Sequence, residues 1–395
     1  MINQMKIGGL ILCLLFCLAG CMTTTIYYGA MQGEVQNSNS QSIGGVLVEG
    51  GGASTVTDQS GKFLLNQVPV GEWYVFFSKE GYTGTFLKAE VKKDEVTTIN
   101  QGVVVLPSLT EDNLLDYIFS LYQHGFYQRS LEETERFLTE YPQSHFLPEI
   151  TFVQGASYFY LGNYQNAQDK LSYLVDYYPN HDLADDGLYL LGKTLSSGLG
   201  KYGLAVERYQ ALVENYPTSE FAGAAYYEMG DCYYILGNYN SAFLAYQEAG
   251  NFGGEIERQS IYSMAHCQYK LENFLEAASY FNQYVSRYPN TDISDDAQYF
   301  EGAAYYEAGQ FTAALQAFER CSSNYPNGTW YNGILIAPAA LFHQGLCLEK
   351  LGRYREAYQT YLKIIRDYPG ACWADGSSLI KSVRFRLNWL EENFI

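Results

Sequence analysis

Residues 111–395 repeat one arrangement of apolar, small and polar positions seven times. Six of the seven copies close with a Tyr-Pro pair, and successive pairs lie 37, 38, 72, 37 and 43 residues apart. Because 72 is two periods of 36, one copy has lost its pair, near Gly250–Asn251. A repeat of this length predicts a stack of similar structural units. The closing tyrosines are Tyr141, Tyr178, Tyr216, Tyr288, Tyr325 and Tyr368.

Each copy has the features of two helices joined by a tight turn. A turn residue is followed two positions later by an aromatic residue and five positions later by a small one. The proline ends the second helix because it cannot continue the hydrogen-bond ladder. Ser144 and Ser219 are expected to cap the next first helix. The turn residues are Gly125, Gly162, Gly200, Gly237, Glu272, Gly309 and Gly352.

A small residue in the first helix of six copies lets the second helix approach closely. The resulting order of small residue, turn glycine, alanine, aromatic and proline resembles the tetratricopeptide repeat (TPR). The resemblance implies an all-α TPR solenoid of about seven helix–turn–helix repeats over residues 111–395. The Tyr-Pro variant is similar to the repeats of bacterial envelope lipoproteins of the BamD and CpoB types. The small residues are Gly155, Gly192, Gly230, Ala265, Gly302 and Gly345.

Two segments interrupt the period near the end of the chain. Residues 327–336, which include Trp330, are an insertion before the last copy. Residues 375–393 read as a capping helix with one apolar face, because their leucines and valine recur at helical spacing. The residues of that face are Leu379, Val383, Leu387 and Leu390.

Residues 33–107 have the short alternating runs of a small all-β sandwich of about seven strands. Asp58 and Gly61 are expected to form one hairpin turn, and Pro69 and Gly71 the next. The order of these turns and of Gly81-Tyr82 resembles the carboxypeptidase-regulatory-like domain. That resemblance implies a spacer or folding aid without catalytic residues. A carbohydrate- or protein-binding sandwich is the alternative.

The N-terminal residues predict export and a lipid anchor. Lys6 precedes an apolar run of about a dozen residues, which suits a signal peptide and is too short to span a membrane. The sequence Leu18-Ala19-Gly20-Cys21 resembles the lipobox of bacterial lipoproteins. The resemblance implies that residues 1–20 are removed, that Cys21 is acylated, and that residues 21–32 form a tether.

Composition narrows the possible partners. The chain carries 24 basic and 43 acidic residues, and residues 111–395 carry 18 and 35 of them. A net charge of −19 argues against nucleic acid or an anionic lipid surface as a partner. It favours basic or neutral protein segments. Of the 38 tyrosines, 34 follow residue 110, so the aromatic excess belongs to the repeats.

No catalytic or metal-binding motif is recognisable, so we expect neither enzymatic activity, a cofactor nor a metal site. Cys232, Cys267 and Cys347 occupy one repeat position, which predicts buried packing thiols.

The candidate binding residues are two sets of aromatics in the first helices, three positions before and four positions after the small residue. The two sets lie seven residues apart, two turns along one stripe. A groove for a peptide segment and simple packing within a closed superhelix both account for them. The ten candidates are Phe152, Phe159, Tyr189, Tyr227, Tyr234, Tyr262, Tyr269, Tyr299, Tyr306 and Phe342.

Together these features predict a non-enzymatic scaffold that is anchored in the bacterial envelope and binds protein partners through the solenoid. The expected location is the outer membrane, on its periplasmic face or at the surface. Two alternatives stay open: a glycan- or peptidoglycan-binding lipoprotein that uses the aromatic groove, and a structural spacer between envelope complexes.

Overall fold

A computed structural model of the chain describes residues 26–395. The predicted signal peptide, and with it Cys21, lies outside the described residues. The chain divides into two compact units, of which the first ends at Ser144 and the second comprises His145–Ile395.

Seven strands of the first unit form the two sheets of a β-sandwich, as predicted. Most of the neighbouring strands are antiparallel. One sheet has the order β4-β1-β7 and the other β3-β2-β5-β6. Met31, Val48, Leu65 and Phe77 are among the side chains that fill the space between them. The strands are β1 (Tyr28–Gln36), β2 (Leu47–Gly50), β3 (Ala53–Val56), β4 (Lys62–Pro69), β5 (Gly71–Ser78), β6 (Thr85–Val91) and β7 (Val96–Val105).

The two turns were predicted correctly, but the prediction that they form hairpins, in which the flanking strands pair with each other, was wrong. The Asp58 carboxylate accepts hydrogen bonds from the backbone N–H groups of Ser60 and Lys62. The turn nevertheless carries the chain from β3 in one sheet to β4 in the other, and β4 pairs with β1. Pro69 and Gly71 likewise join strands of different sheets. Turn residues determine a reversal of direction, whereas burial of apolar faces decides which strands pair.

The first helix pair, α1 (Glu111–Gln123) and α2 (Tyr127–Glu140), belongs to the same unit as the sandwich. The ring of Tyr117 in α1 lies directly on Gly84, where a Cβ atom would be 2.5 Å from the ring. Arg136 in α2 donates a hydrogen bond to the carbonyl of Tyr82 at 2.9 Å. These contacts tie the first helix pair to the sandwich.

The second unit contains six further helix pairs and a final helix, so the predicted seven pairs and capping helix are confirmed. The third pair is lengthened by a π-helical turn, Thr194–Gly198. The helices are α3 (Leu147–Tyr160), α4 (Tyr164–Tyr177), α5 (Ala184–Lys193), α6 (Tyr202–Asn215), α7 (Ala222–Ile235), α8 (Tyr239–Gly250), α9 (Gly254–Lys270), α10 (Phe274–Arg287), α11 (Ser294–Glu307), α12 (Phe311–Asn324), α13 (Ala337–Lys350), α14 (Tyr354–Asp367) and α15 (Leu379–Asn393).

The turn residues between paired helices adopt the left-handed conformation. Glycine accepts this conformation without strain, and Glu272 adopts it at φ 61° in the fifth pair. Each second helix that precedes a Tyr-Pro pair ends one residue before its tyrosine, because a residue before proline is held in extended backbone. The hydroxyl of Tyr325 then donates to the carbonyl of Pro289 in the preceding copy at 2.9 Å.

Two predicted helix starts are wrong. Helix α7 begins at Ala222 after Phe221, with no side-chain cap, and the Ser219 hydroxyl instead accepts from the backbone N–H of Phe221. Helix α3 begins at Leu147, three residues beyond Ser144. In both cases a packed apolar residue, not a serine, precedes the helix.

An aromatic ring of each second helix from α6 onward, apart from α10, rests on a glycine of the paired first helix. A Cβ atom on Gly230 would be 2.6 Å from the Tyr246 ring, and one on Gly302 would be 2.8 Å from the Phe318 ring. Tyr246 and Phe318 are themselves buried. The glycines are therefore needed for close approach.

We predict that Gly230→Ala destabilises the chain by about 1–3 kcal/mol, because the added methyl group overlaps a ring that cannot move aside. Gly203→Ala is the matched control, since Gly203 lies in α6 with no atom within 4 Å of its would-be Cβ. It should stabilise by about 0.5–1 kcal/mol through helix propensity. Urea unfolding of both variants measures the difference, and equal effects would contradict the packing role of Gly230.

Candidate partner-binding face

Six aromatic side chains, which we call the face rings, recur at one position of successive first helices. The rear of each of the last five packs against a ring of the paired second helix. Tyr227 and Tyr246 have centroids 5.2 Å apart, and Tyr299 and Phe318 have centroids 5.5 Å apart. Four of these second-helix rings, all except Phe281 behind Tyr262, are the same rings that rest on a first-helix glycine. They are Phe152, Tyr189, Tyr227, Tyr262, Tyr299 and Phe342.

The second predicted set closes the turn within each pair. Its members pack against the first aromatic residue of the following helix, with centroids 5.2–5.8 Å apart. This packing fixes where the second helix starts. The pairs are Phe159–Tyr164, Tyr234–Tyr239, Tyr269–Phe274 and Tyr306–Phe311.

Successive first helices are joined along the face. The Tyr227 hydroxyl is 3.1 Å from the Ser263 hydroxyl in α9, and the Tyr299 hydroxyl is 3.2 Å from Nδ1 of His343 in α13. Between them, His266 of α9 packs edge to face with Phe300 of α11 at 4.9 Å. The first helices from α7 to α13 therefore present one connected surface, the first-helix face.

The face rings differ in accessibility. Tyr189, Tyr227 and Tyr262, in the middle of the row, are half-buried, whereas Phe152, Tyr299 and Phe342 are buried. The last five face rings therefore pack against a second-helix ring, and the central three of the row are also partly accessible to solvent.

Two small hairpins cover the C-terminal face rings. Trp330 lies edge to face on Tyr299 at 5.0 Å, and Trp373 does the same on Phe342 at 5.1 Å. Each hairpin closes with a hydrogen bond from a left-handed glycine, Gly333 or Gly376, to the tryptophan carbonyl at 2.8 Å. The first hairpin lies in the predicted insertion, residues 327–336, whereas the second was not predicted. The signal that could have found it is a common Trp-x-x-Gly motif recurring 43 residues later.

Titratable groups lie between the rings of the face. The Tyr246 hydroxyl donates to the Asp231 carboxylate at 2.5 Å, and burial raises the pKa of Asp231 to about 6. Burial among the rings of Tyr262, Phe281 and Phe300 lowers the pKa of His266 to about 4, so this imidazole is neutral at pH 7. The face therefore presents carboxyl groups and neutral rings.

Three carboxyl groups, those of Glu149, Asp186 and Asp296, occupy the same repeat position, three residues before a face ring. Burial and the neighbouring Asp295 raise the pKa of Asp296 to about 7. Burial and the neighbouring Asp185 raise the pKa of Asp186 to about 6. Asp186 and Asp296 both lie in the first turn of a first helix.

The buried cysteines pack in the core as predicted. Cys232, Cys267 and Cys347 are buried, and burial raises each thiol pKa to about 12, which makes them poor nucleophiles. Within residues 26–395 no group of three or more potential ligand side chains could hold a metal ion. Over the same residues no helix combines the length and the apolar character that crossing a membrane requires.

Comparisons with known proteins identify the repeats. Two family models, both described as tetratricopeptide repeat, match residues 152–181 and 339–371, and residues 197–255 and 262–328. The chain contains tetratricopeptide repeats. No curated protein sequence matches it.

Two solved structures of bacterial TPR proteins are similar to this chain, the second only weakly. The C-terminal part of a TPR repeat-containing protein from Cytophaga hutchinsonii matches with a TM-score of 0.52 and 17% identity, over 69% of this chain and 99% of that chain. A tetratricopeptide repeat protein from Parabacteroides merdae has a TM-score of 0.44 and 14% identity, over 71% and 98% of the two chains.

We predict that Asp296→Asn raises the free energy of unfolding at pH 8 and leaves it almost unchanged at pH 4, each compared with the unchanged protein at the same pH. The folded chain keeps the Asp296 proton up to about pH 7, whereas the unfolded chain loses it near the ordinary value of 3.8. Stability is therefore lost as the pH rises through this window. The variant should gain about 1–3 kcal/mol at pH 8 and almost nothing at pH 4.

Thermal melting at the two pH values measures this difference. Glu276→Gln, at an exposed position of α10, is the control and should show no such pH dependence. Parallel melting curves for Asp296→Asn and the unchanged chain at both pH values would refute the prediction.

Proposed function

We propose that this chain is a non-enzymatic scaffold of the bacterial cell envelope. It is anchored to the outer membrane through a lipid on Cys21 and binds protein partners along the first-helix face. TPR folds typically act as scaffolds for protein–protein interaction. The resemblance of the Tyr-Pro repeats to those of envelope lipoproteins of the BamD and CpoB types supports partners among other envelope proteins.

The observation that carries the proposal is the accessibility of the central face rings. Tyr189, Tyr227 and Tyr262 are half-buried on three successive first helices, and their rear sides are fixed by packing. Rigid tyrosines that are already ordered lose little side-chain entropy on binding, which makes them suitable anchors for a partner.

The acidic charge of the repeats indicates which protein segments this face can bind. The repeats carry almost twice as many acidic as basic residues, and the accessible rings lie beside Asp231 and Asp186. A neutral or basic segment meets this face without repulsion between like charges. A strongly acidic segment does not.

We predict that a photoreactive phenylalanine analogue at Tyr227 captures a protein partner in intact envelopes. The same analogue at Tyr173 is the matched control, because Tyr173 is an exposed tyrosine of the second helix α4. A discrete adduct at position 227, absent at position 173, is the expected result on denaturing gels.

Equal adducts at the two positions would contradict binding by the first-helix face. Adducts that carry glycan and no protein would favour the glycan-binding alternative. Because the Tyr227 hydroxyl also contacts Ser263, thermal melting of the labelled chain must first show that its fold is retained.

We predict separately that Cys21→Ser abolishes lipid attachment. The thiol is the acceptor in the lipobox reaction, and a serine hydroxyl does not replace it. Metabolic labelling with palmitate, followed by membrane fractionation, should show a labelled membrane-bound chain for the natural sequence and neither property for the variant. A variant that is still labelled would exclude this anchor and leave the partner-binding face unaffected.

A further inference from the structure

The outer face of the last helix, α15, carries an exposed aromatic ring. A terminal helix of a repeat stack normally covers the stack with its apolar face and presents a polar face to water. The inner face of α15 is buried as expected. On the outer face, however, the Phe385 side chain is 67% exposed, more than any other phenylalanine of residues 26–395. Single exposed rings are common on protein surfaces, so the charges beside this ring decide its interpretation.

Charged side chains continue the same face of the helix. Six exposed positions of α15 recur at intervals of three and four residues, so they form one stripe, which we call the α15 stripe. Its first half is basic and its last turn is acidic, with the aromatic ring and an asparagine between them. The residues of the α15 stripe are, in chain order, Lys381, Arg384, Phe385, Asn388, Glu391 and Glu392.

The order of these charges opposes the dipole of their own helix. The amino end of a helix favours acidic side chains, and the carboxyl end favours basic ones. Helix α15 has no acidic residue in its first turn and no basic residue in its last turn. Lys381 lies in the first turn instead, and Glu392 lies in the last. The charges therefore do not stabilise the isolated helix and call for another explanation.

The charges of the stripe are not compensated within the chain. No ion pair of residues 26–395 includes Lys381, Arg384 or Glu392. Glu391 accepts a hydrogen bond from the Tyr358 hydroxyl at 2.5 Å, which holds its carboxylate in place without neutralising it. Both signs of charge thus remain available to a second molecule.

We propose that α15 packs against α15 of a second copy of this chain, so that two copies form an antiparallel dimer with two-fold symmetry. In such a dimer both copies use the same surface, and each contact between two residues occurs twice. Antiparallel packing brings the basic half of one stripe opposite the acidic end of the other. It also places the dipoles of the two helices in opposite directions. This surface is separate from the first-helix face, and the dimer does not depend on the proposed function.

The spacing of the stripe is self-complementary. Antiparallel packing can place Lys381 opposite Glu392 of the second copy. The same two-fold axis places Arg384 opposite Glu391 of the second copy, because the midpoints of the two pairs lie one residue apart. At 3.6 residues per turn, the members of the first pair lie on the central line of the stripe and those of the second pair lie on one side of it. A two-fold axis perpendicular to the helices preserves that side, so both pairs form together.

The aromatic ring lies between the charged ends of the stripe. Phe385 is one turn from Lys381 and two turns from Glu392. The rings of the two copies therefore lie close to the two-fold axis, where the dimer would remove their apolar surface from water. An apolar centre with charged pairs around it is the usual arrangement of a protein–protein interface.

The charge distribution of the repeats favours contact at this end. Residues 111–336 carry 10 basic and 29 acidic residues, whereas residues 337–395, which contain the last helix pair and α15, carry 8 and 6. Two copies that met through the earlier repeats would bring large negative charges together. The last pair and α15 are the part of the repeats where two copies of this acidic chain can approach with little repulsion.

The test uses full-length chains that carry one of two affinity tags and are produced together in the same cells. After solubilisation in mild detergent, capture through the first tag measures how much of the second-tagged chain is retained. The natural chain should retain itself. Reversal of the basic half in both copies, Lys381→Glu with Arg384→Glu, should lower retention at least about tenfold, because like charges then face each other. Glu391→Lys with Glu392→Lys in both copies should have the same effect.

The decisive measurement combines the two variants, one with each tag. A copy whose stripe is entirely acidic should retain a copy whose stripe is entirely basic to within about twofold of the natural amount, because opposite charges face each other again. This recovery also shows that both variants fold. The matched control is Arg355→Glu with Lys363→Glu, which makes the same change of charge on the exposed face of α14. It should leave retention unchanged.

Recovery by the mixed pair, after loss in each variant alone, supports the dimer. Absence of retention for the natural chain overturns it, and so does an equal loss in the α14 control, which would show a response to net charge alone. Retention that survives both reversals also overturns it, because the copies are then joined through lipid, detergent or another surface. Failure of the mixed pair to recover, when both variants melt at the temperature of the natural chain, excludes the antiparallel register.

Discussion

The contact between a second-helix ring and a small first-helix residue is the constraint on which the repeats depend. In the fourth pair, the Tyr246 ring occupies the space that a side chain on Gly230 would fill. Because Gly230 has no side chain, the two helices approach closely and the large aromatic surface of Tyr246 is buried between them. This contact also fixes the rear of the face ring Tyr227, which packs against the same Tyr246. The same ring therefore packs the core of the repeat and positions the neighbouring ring of the candidate face.

The C-terminal end of the row of face rings depends on elements that do not lie over its centre. Trp330 and Trp373 cover Tyr299 and Phe342 from two hairpins that contact each other, because the Asn332 side chain donates to the carbonyl of Ala374 at 2.6 Å. No such hairpin, within the part of the chain that the structure describes, lies over Tyr227 or Tyr262. The accessible stretch is thus bounded on its C-terminal side by the two tryptophan hairpins.

Local chemistry explains where prediction succeeded. The left-handed glycines and the Tyr-Pro pairs were read correctly because glycine and proline restrict their own backbone. Pairing depends on partners distant in sequence, so Asp58 and Gly61 indicated a turn but not that β4 would pair with β1. The Ser219 cap failed for a similar reason: packing of Phe221, which stacks on Tyr189 at 4.9 Å, outweighs a capping hydrogen bond of about 1 kcal/mol.

The sequence by itself determined the repeat period, the seven helix pairs, the capping helix and the ten aromatic positions. It also determined the excess of acidic over basic residues. All of these properties follow from residue type and spacing alone. Only the tertiary structure decided which face rings stay accessible and which carboxyl groups lack a partner. Those properties depend on which distant segments come to rest on a ring or beside a carboxylate. Trp330, for example, follows Tyr299 by 31 residues and covers it, and spacing along one helix cannot predict such a contact.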